Sequence, residues 1–403
     1  MIPDLRQSFN RDFTPEKYRA FLAHLDRLAS DGRDLIHALV DSHAYRDASR
    51  DCIPKNFAAP AETERPLFIQ VDFGLIRNAA GALEPRLVEI QAFASLYAYQ
   101  VALAQAYIGK YSLDPRLRFL IDFPDLDAYR AGLRRAIVGA HDPANVVLLE
   151  IEPEEQKTLP DFLLTEKMLG VRPVCITSLR KDGRRLLYNR DGQWTPIHRI
   201  YNRVIADELI RKNVSLPFQF TDSLDVEWAG HPNWFFRISK FSLPHLRHPS
   251  VPRTWFLDQF PPEISGELLA HPGALDNYVL KPLYSFAGLG VVVGPTRADL
   301  DSIPEERRHD YILQERMRFE PVIETPHGPT QAEIRIMFIW QEAHRSGASA
   351  EPRAVSAAAP RPGSPGALLA GPAIVRMGRG KMMGVDHNRD LEWVGASAAL
   401  FPQ

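Results

Sequence analysis

Cysteine is nearly missing from this sequence: Cys52 and Cys175 are the only two among 403 residues. They lie far apart and fit neither a zinc nor a redox spacing, which argues against a disulfide scaffold and suits a reducing compartment. A surplus of one charge is missing too. Lys and Arg number 48 against 50 Asp and Glu, a formal net charge of −2, so no global field draws the chain toward nucleic acid or anionic membrane. Long hydrophobic runs are also lacking. The opening MIPDLRQSFNRDF has no apolar stretch of signal-peptide type, and no run approaches membrane-spanning length. The expectation is a cytoplasmic globular protein with no nucleic-acid or membrane partner. Internal repeats are absent, as are the GxxxxGK[ST] and GxGxxG phosphate fingerprints.

What is present is enough apolar residue, 45% of a 403-residue chain, to build a real core across two or three domains. In the first sixty residues, Phe21, Leu22, Leu25, Leu28 and Leu35 recur at helical spacing, with Thr14 as a cap and Pro15 as the first helical residue. PLFIQVDFGLI and PRLVEIQAF read as strands joined by the turn-rich RNAAGALE, a hairpin. LYAYQVALAQAYIGKYSL reads as a mostly buried helix. From residue 143 the pattern changes. NVVLLEIEP is an apolar strand, LPDFLLTEKMLG a helix ending at Gly170, and VRPVCITS a second strand. RRLLYNRDGQWTPIHRIYNR then turns at Asp191-Gly192, an order that predicts a parallel α/β unit. A third region runs from near His231 to the C-terminus. Its Ala/Pro/Gly-rich SGASAEPRAVSAAAPRPGSPGALLAGP predicts a loop between the strands EIRIMFIW and AIVRMG.

The chemistry sits where charge interrupts apolar strands. In NYVLKPLYSFAGLGVVVG, Val279 and Lys281 share one face of a strand. A buried ammonium is costly without a partner, so Lys281 either snorkels out or meets an anion. The loop Ser285-Phe286-Ala287-Gly288-Leu289-Gly290 offers backbone N–H groups with little steric cover, which can fold over phosphates. From this stretch alone, a plain hairpin beside a salt-bridged lysine is the favoured reading. YILQERM ends an apolar strand in Gln314 and Glu315, either an adenine-facing edge or an ordinary strand terminus. In AEIRIMFIW, Glu333 and Arg335 share a face as a structural ion pair or a site wall. Asp72 interrupts FIQVDFGLI, and Glu89 and Gln91 share a face of RLVEIQAF. These can converge as hard oxygen ligands suited to Mg2+, or remain the solvated face of an edge hairpin. His245 and His248 in HLRH lack matching ligands nearby and read as surface residues. DVEWAGHPNWFF reads as packing.

Together these pieces resemble the ATP-grasp superfamily: a strand lysine, a small-residue phosphate loop, a QE adenine hinge, a phosphate-binding arginine and an acidic metal set. The order is unusual, because the hairpin bearing Asp72, Glu89 and Gln91 precedes the lysine and hinge. That order is similar to the circularly permuted ATP-grasp proteins, glutathionylspermidine synthetase-like in the synthetase part only. The resemblance implies an α/β and α+β ATP-grasp fold with a preceding parallel α/β module. Residues 1–142 would supply a helical segment plus a hairpin (66–100) completing the grasp sheet, 143–235 the α/β module, and 236–403 the grasp subdomains. Glu89 should then lie beside Arg335.

The activity implied is an ADP-forming ligase that joins a carboxylate to an amine through an acyl phosphate, with ATP and Mg2+. Lys240, in SKFSLPHLRHPSVPRTWFL, and Lys281 would hold the nucleotide with Ser285, Phe286, Ala287, Gly288, Gly290, Gln314, Glu315 and Met317. Asp72, Glu89, Gln91 and, least firmly tied, Glu333 would hold the metal. Arg335 and Arg376, with Arg379 or Lys381 sharing the role, would stabilise the transferred phosphoryl group. Two departures bear on the chemistry. Gln91 replaces an asparagine, and Gln70 stands where the synthetase relative has an arginine. The alternative is an ATP-grasp nucleotide-binding protein or small-molecule kinase without ligase activity.

Overall fold

The structure is a computed structural model that describes residues 15–114, 116–260, 273–284, 290–341, 366–380, 383, 388 and 391–401. The expected cap Thr14, the loop residues Ser285, Phe286, Ala287 and Gly288, and Lys381 lie outside the described residues.

Helix α1 (Pro15–Val40) buries Leu25, Leu28, Leu35, Ile36 and Leu39, the 3–4 spacing of a single apolar stripe. It is followed by α2 (His43–Ala48), capped by the Ser42 hydroxyl, which accepts from the Tyr45 N–H at 3.2 Å. Strands β1 (Phe68–Arg77) and β2 (Leu83–Gln91) form the antiparallel hairpin, with a register shift between Asp72 and Phe73. Helix α3 (Tyr97–Lys110) is buried only through Ala104, and its second half opens to solvent, less burial than its composition implies. Its N-terminus is held from a distance. The fully buried Asp161 carboxylate accepts from the N–H groups of Leu96, Ala98 and Tyr99 at 3.0, 3.1 and 2.9 Å. Helix α4 (Leu126–Ile137) is capped by Asp125.

The next region is the parallel unit. Strand β3 (Val146–Glu150) is buried at every position, as a strand covered on both faces must be. Helix α5 (Leu159–Leu169) ends at Gly170, whose φ of +76° suits glycine. Then come β4 (Arg172–Cys175), the meander β5 (Arg180–Asp182), β6 (Arg185–Arg190) and β7 (Gln193–Ile197), and β8 (Arg199–Asn202). Asp191 and Gly192 both take positive φ at the β6–β7 turn. Helix α6 (Ala206–Arg211) and β9 (Glu227–Ala229) complete the unit, whose strand order is β4-β3-β8-β9, parallel throughout. Trp228, Trp234 and Phe236 are core residues, the last two from α7 (Pro232–Arg237).

Two antiparallel sheets follow. The smaller has the order β10-β13-β11-β12, from β10 (Thr254–Phe256), β11 (Tyr278–Pro282), β12 (Val292–Val293) and β13 (Tyr311–Glu315). After the short helix α8 (Arg297–Asp301) and β13, the chain enters β14 (Pro321–Ile323), β15 (Thr330–Trp340), β16 (Leu368–Gly378) and β17 (Gly395–Ala398). These join the N-terminal hairpin in one sheet, β17-β16-β15-β1-β2, with β14 added to β15. Strand β1 therefore inserts between β2 and β15, two strands hundreds of positions apart in the chain.

One expectation is corrected here. The Ala/Pro-rich segment was expected to stay a loop through Pro372, but β16 begins at Leu368, with Leu368, Leu369 and Ala370 buried. Gly371 and Pro372 fit inside a strand because the β15–β16 register shifts there, Ile336 pairing with Ala373 and Phe338 with Ala370. A bulge tolerates the missing proline N–H. At Gly371 a Cβ would stand 3.0 Å from the Tyr129 ring and 3.3 Å from the Met337 carbonyl. No helix among the described residues is long and apolar enough to cross a membrane.

Candidate functional site

Strand alternation gathers charge on one face of the large sheet. Asp72 pairs in register with Glu89 on β2 and with Arg335 on β15, so Glu89 and Arg335 flank it on either side. One rung along, Glu333 is opposite Gly74 on β1 and Arg376 on β16. On the other side of Asp72, Gln70 is opposite Gln91. The opposite face carries Val71, Phe73, Ile90, Ile334 and Ile336, which pack into the core with α1.

These charges are tightly paired. Arg335 binds Asp72 in bidentate fashion, Nε to Oδ1 and Nη2 to Oδ2, both at 2.6 Å. The Arg376 Nη2 donates to Asp72 Oδ2 and to Glu333 Oε1, while its buried Nε has no partner. Lys240, from the turn after α7, places Nζ 3.6 Å from Glu89 Oε1. Both oxygens of Asp72 are thus occupied by guanidinium groups, at a side chain only 1% exposed. Burial works to raise the Asp72 pKa, but the Arg335 and Arg376 charges outweigh it and hold the carboxyl below its ordinary value. Glu333 goes the other way. Burial pushes it up to about 7, Arg376 offsets only part of that, and the Asp72 charge adds to the rise.

The small sheet faces this cluster with Lys281. Its ammonium is buried and donates to Gln314 Oε1 at 2.7 Å and to the Val88 carbonyl at 3.4 Å. Gln314, 1% exposed, in turn donates from Nε2 to Thr254 Oγ1 at 3.1 Å. Three strands of the small sheet therefore hold one lysine, and that lysine reaches across to a backbone oxygen of β2. Its acceptors are neutral. No carboxylate lies within ion-pair distance of Lys281 among the described residues, and burial pulls its pKa down from 10.5 to about 8.

The fold frames this cluster between a parallel unit and two facing antiparallel sheets. No protein-family model matches the chain, and no curated protein matches it. Among solved structures, it is similar to a glutathione synthetase-like effector from Globodera pallida in apo form. The match has a TM-score of 0.53 at 11% identity and covers 96% of this chain and 87% of that one. The fold is similar to a glutathione synthetase-like one.

The remaining expected residues fall into place unevenly. Glu315 ends β13 half-buried, its Oε2 accepting from the Arg253 N–H at 3.3 Å. Met317 is half-buried in the segment leaving β13. Gly290 opens the return into β12 with φ of +72°, and a Cβ there would lie 3.1 Å from Pro282 Cγ. Arg379 donates to Thr330 Oγ1 at 3.3 Å and to the Glu392 carbonyl. His248 meets the Ser250 hydroxyl at 2.7 Å, and His245 packs among Tyr45, Phe241 and Phe256.

Three of the four expected metal ligands carry cationic partners here. Asp72 is caged by two arginines, Glu333 accepts from Arg376, and Glu89 faces Lys240. Among the described residues no group of three or more His, Cys, Asp or Glu is placed to hold a metal ion. The gap beside Glu89, Gln91, Phe93, Lys240 and Tyr284 is about 20 Å³, room for about one water.

Sequence reasoning missed two parts of this site. Thr254 anchors Gln314, and nothing but its place in VPRTWF pointed to it. The Phe319 ring lies against Gly74, where an added Cβ would overlap it. The signal was the glycine inside an otherwise apolar strand, a mark of close approach.

Proposed function

We propose that this protein binds ATP between its two antiparallel sheets and uses it to join a carboxylate to an amine, an ADP-forming ligase of the ATP-grasp type. Lys281 carries the nucleotide reading. A lysine held in a sheet, buried, and bonded only to neutral oxygens leaves one positive charge without an ion-pair partner among the described residues. A phosphate is the anion that would complete it. The glutathione synthetase-like fold and the sequence resemblance support the same reading.

In that reaction the substrate carboxylate attacks the γ-phosphorus, forming an acyl phosphate and releasing ADP. The amine then attacks the acyl carbon, inorganic phosphate leaves, and the amine loses a proton. Such transfer needs positioning and charge neutralisation rather than covalent help from the protein. Lys281 and Lys240 would hold phosphate oxygens, with Gln314 fixing Lys281. Arg376, whose Nε has no partner among the described residues, would offer that N–H to the transferred group, and Arg335 would hold Asp72 in place. A gap of about 20 Å³ requires the sheets to part before a nucleotide enters.

A second reading, nucleotide binding without ligation, is favoured by Gln70. Its Nε2 donates to the Ser95 carbonyl at 2.7 Å and its Oε1 accepts from Gln91 at 3.3 Å. A neutral, fully engaged amide thus stands where the relative's arginine assists the acyl phosphate. The test is calorimetric titration of ATP, followed by an ADP-release screen over amino acids, short peptides and polyamines. The ligase reading expects binding, and ADP release that needs both a carboxylate and an amine. Release without an amine would leave only the second reading, and no binding by the wild type would overturn both.

A further inference from the structure

We infer that the anion site between the two sheets takes a polyphosphate without a divalent metal ion, the fixed positive charge of Lys240, Lys281 and Arg376 standing where a metal would. The inference rests on the nucleotide reading above and deepens it. Its basis is the way the acids and bases are distributed over the cluster.

A metal bridging phosphate oxygens needs carboxylate oxygens with lone pairs turned toward the ligand. Asp72 has little to turn, since guanidinium N–H groups take three of its roughly four lone-pair sites. Its Oδ1 accepts from Arg335 Nε, its Oδ2 accepts from Arg335 Nη2 and Arg376 Nη2, and its side chain is 1% exposed. Freeing it would leave Arg335 buried beside an unpaired position in the middle of a sheet, because β1 and β15 register fixes the two side chains opposite each other. Glu333 is tied by Arg376, and Glu89 lies 3.6 Å from Lys240.

The charge balance points the same way. Among the described residues, Lys240, Lys281, Arg335 and Arg376 face Asp72, Glu89 and Glu333, four cations against three carboxylates. A cluster already one positive charge in excess attracts a phosphate and repels a dication. The excess is located, too: Lys281 bonds only neutral acceptors, and Arg376 keeps a buried Nε without a partner. A phosphate brought against these donors gains charge-assisted hydrogen bonds without displacing any carboxylate. Gln91, whose amide bonds Gln70 at 3.3 Å, adds no charge for a metal.

The experiment is calorimetry on the full chain with ATP, once in EDTA and once with saturating Mg2+, together with thermal melts in Mg2+ or Mn2+ alone. The expected result is one dissociation constant in both buffers within about threefold, and no melting shift from either metal by itself. ATP binding that tightens by about tenfold or more on adding Mg2+, about 1.4 kcal/mol, overturns the inference while leaving the nucleotide reading standing. So does a melting shift from the metal alone that Asp72→Asn abolishes. Absence of ATP binding in both buffers overturns the inference and the nucleotide reading together.

Discussion

Replacing Lys281 by methionine should remove a pH dependence that the buried ammonium imposes on the whole fold. Burial lowers the folded pKa of Lys281 to about 8 from the ordinary 10.5, so between those values the unfolded chain binds more protons than the folded one. Stability therefore rises with pH across that window, and below about pH 8 the folded protein bears the full cost of a buried charge. At 1.36 kcal/mol for each tenfold change, the cost is about 3 kcal/mol. Lys281→Met removes it but strands Gln314 Oε1, which has accepted from Nζ at 2.7 Å, at about 1–3 kcal/mol. The variant at pH 7 should thus lie within about 2 kcal/mol of wild type. The informative quantity is the stability difference between the two proteins, measured by urea unfolding from pH 7 to pH 10, in which all other titrations cancel. Wild type should gain about 2.5 kcal/mol on the variant over that range. A flat difference would show that Lys281 titrates normally and is not buried as described. ATP affinity should be lost in the variant at every pH.

Three further outcomes follow from the same cluster. Asp72→Asn leaves Arg335 and Arg376 buried without their shared counter-ion, and should cost about 3–5 kcal/mol by urea unfolding. Glu333, raised to about 7 from 4.5, makes the folded state hold more protons than the unfolded between those values, so its contribution to stability declines as pH rises through them; Glu333→Gln should remove about 3 kcal/mol of that decline in a pH series of unfolding curves. Gly74→Ala places a Cβ 2.2 Å from the Phe319 ring and should destabilise by about 1–3 kcal/mol; a Gly74→Ala, Phe319→Ala double mutant that recovers none of the overlap cost would refute the steric account.

The shared face at the centre of the site was legible because two strands each carry charge at period two. FIQVDFGLI puts Asp72 on one face with Gln70, and AEIRIMFIW does the same for Glu333 and Arg335. Antiparallel pairing in register then brings Asp72 and Arg335 together across 263 positions. The turn at Asp191-Gly192 and the end of α5 at Gly170 were legible from local backbone chemistry, both requiring positive φ. The choice of partner for each carboxylate was not. Alternation says which face a side chain takes, but whether Asp72 turns to a metal or to two guanidinium groups depends on which strands flank it and on burial. The start of β16 was hidden for a different reason: Gly371 and Pro372 read as loop, and only the bulge against Met337 lets them lie in a strand. The exposed second half of α3 was missed because its apolar composition gives no sign that packing stops at Ala104.

The segment 316–320 ties the small sheet to β1. It leaves the small sheet after Glu315 and is fastened to β1 by the Glu320 N–H donating to the Leu75 carbonyl at 2.8 Å, and by Arg77 reaching Glu320 Oε1 with Nε at 3.0 Å and Nη2 at 2.8 Å. Phe319 meanwhile covers Gly74. The Arg77–Glu320 pair is largely exposed, so breaking it costs at most about 1 kcal/mol. Withdrawing the Phe319 ring from β1 costs about 1–3 kcal/mol of apolar burial. Of these two contacts, the ring rather than the ion pair is the stronger tie between segment 316–320 and β1. On the nucleotide reading, the gap of about 20 Å³ beside Glu89 and Lys240 would have to widen before ATP binds. Phe319→Ala should therefore speed ATP association in stopped-flow, by about tenfold for each 1.4 kcal/mol of closure lost, while Arg77→Ala changes the rate by less than about threefold, in keeping with its exposed pair. If Arg77→Ala accelerates binding and Phe319→Ala does not, the latch is electrostatic and the ring is only filling space.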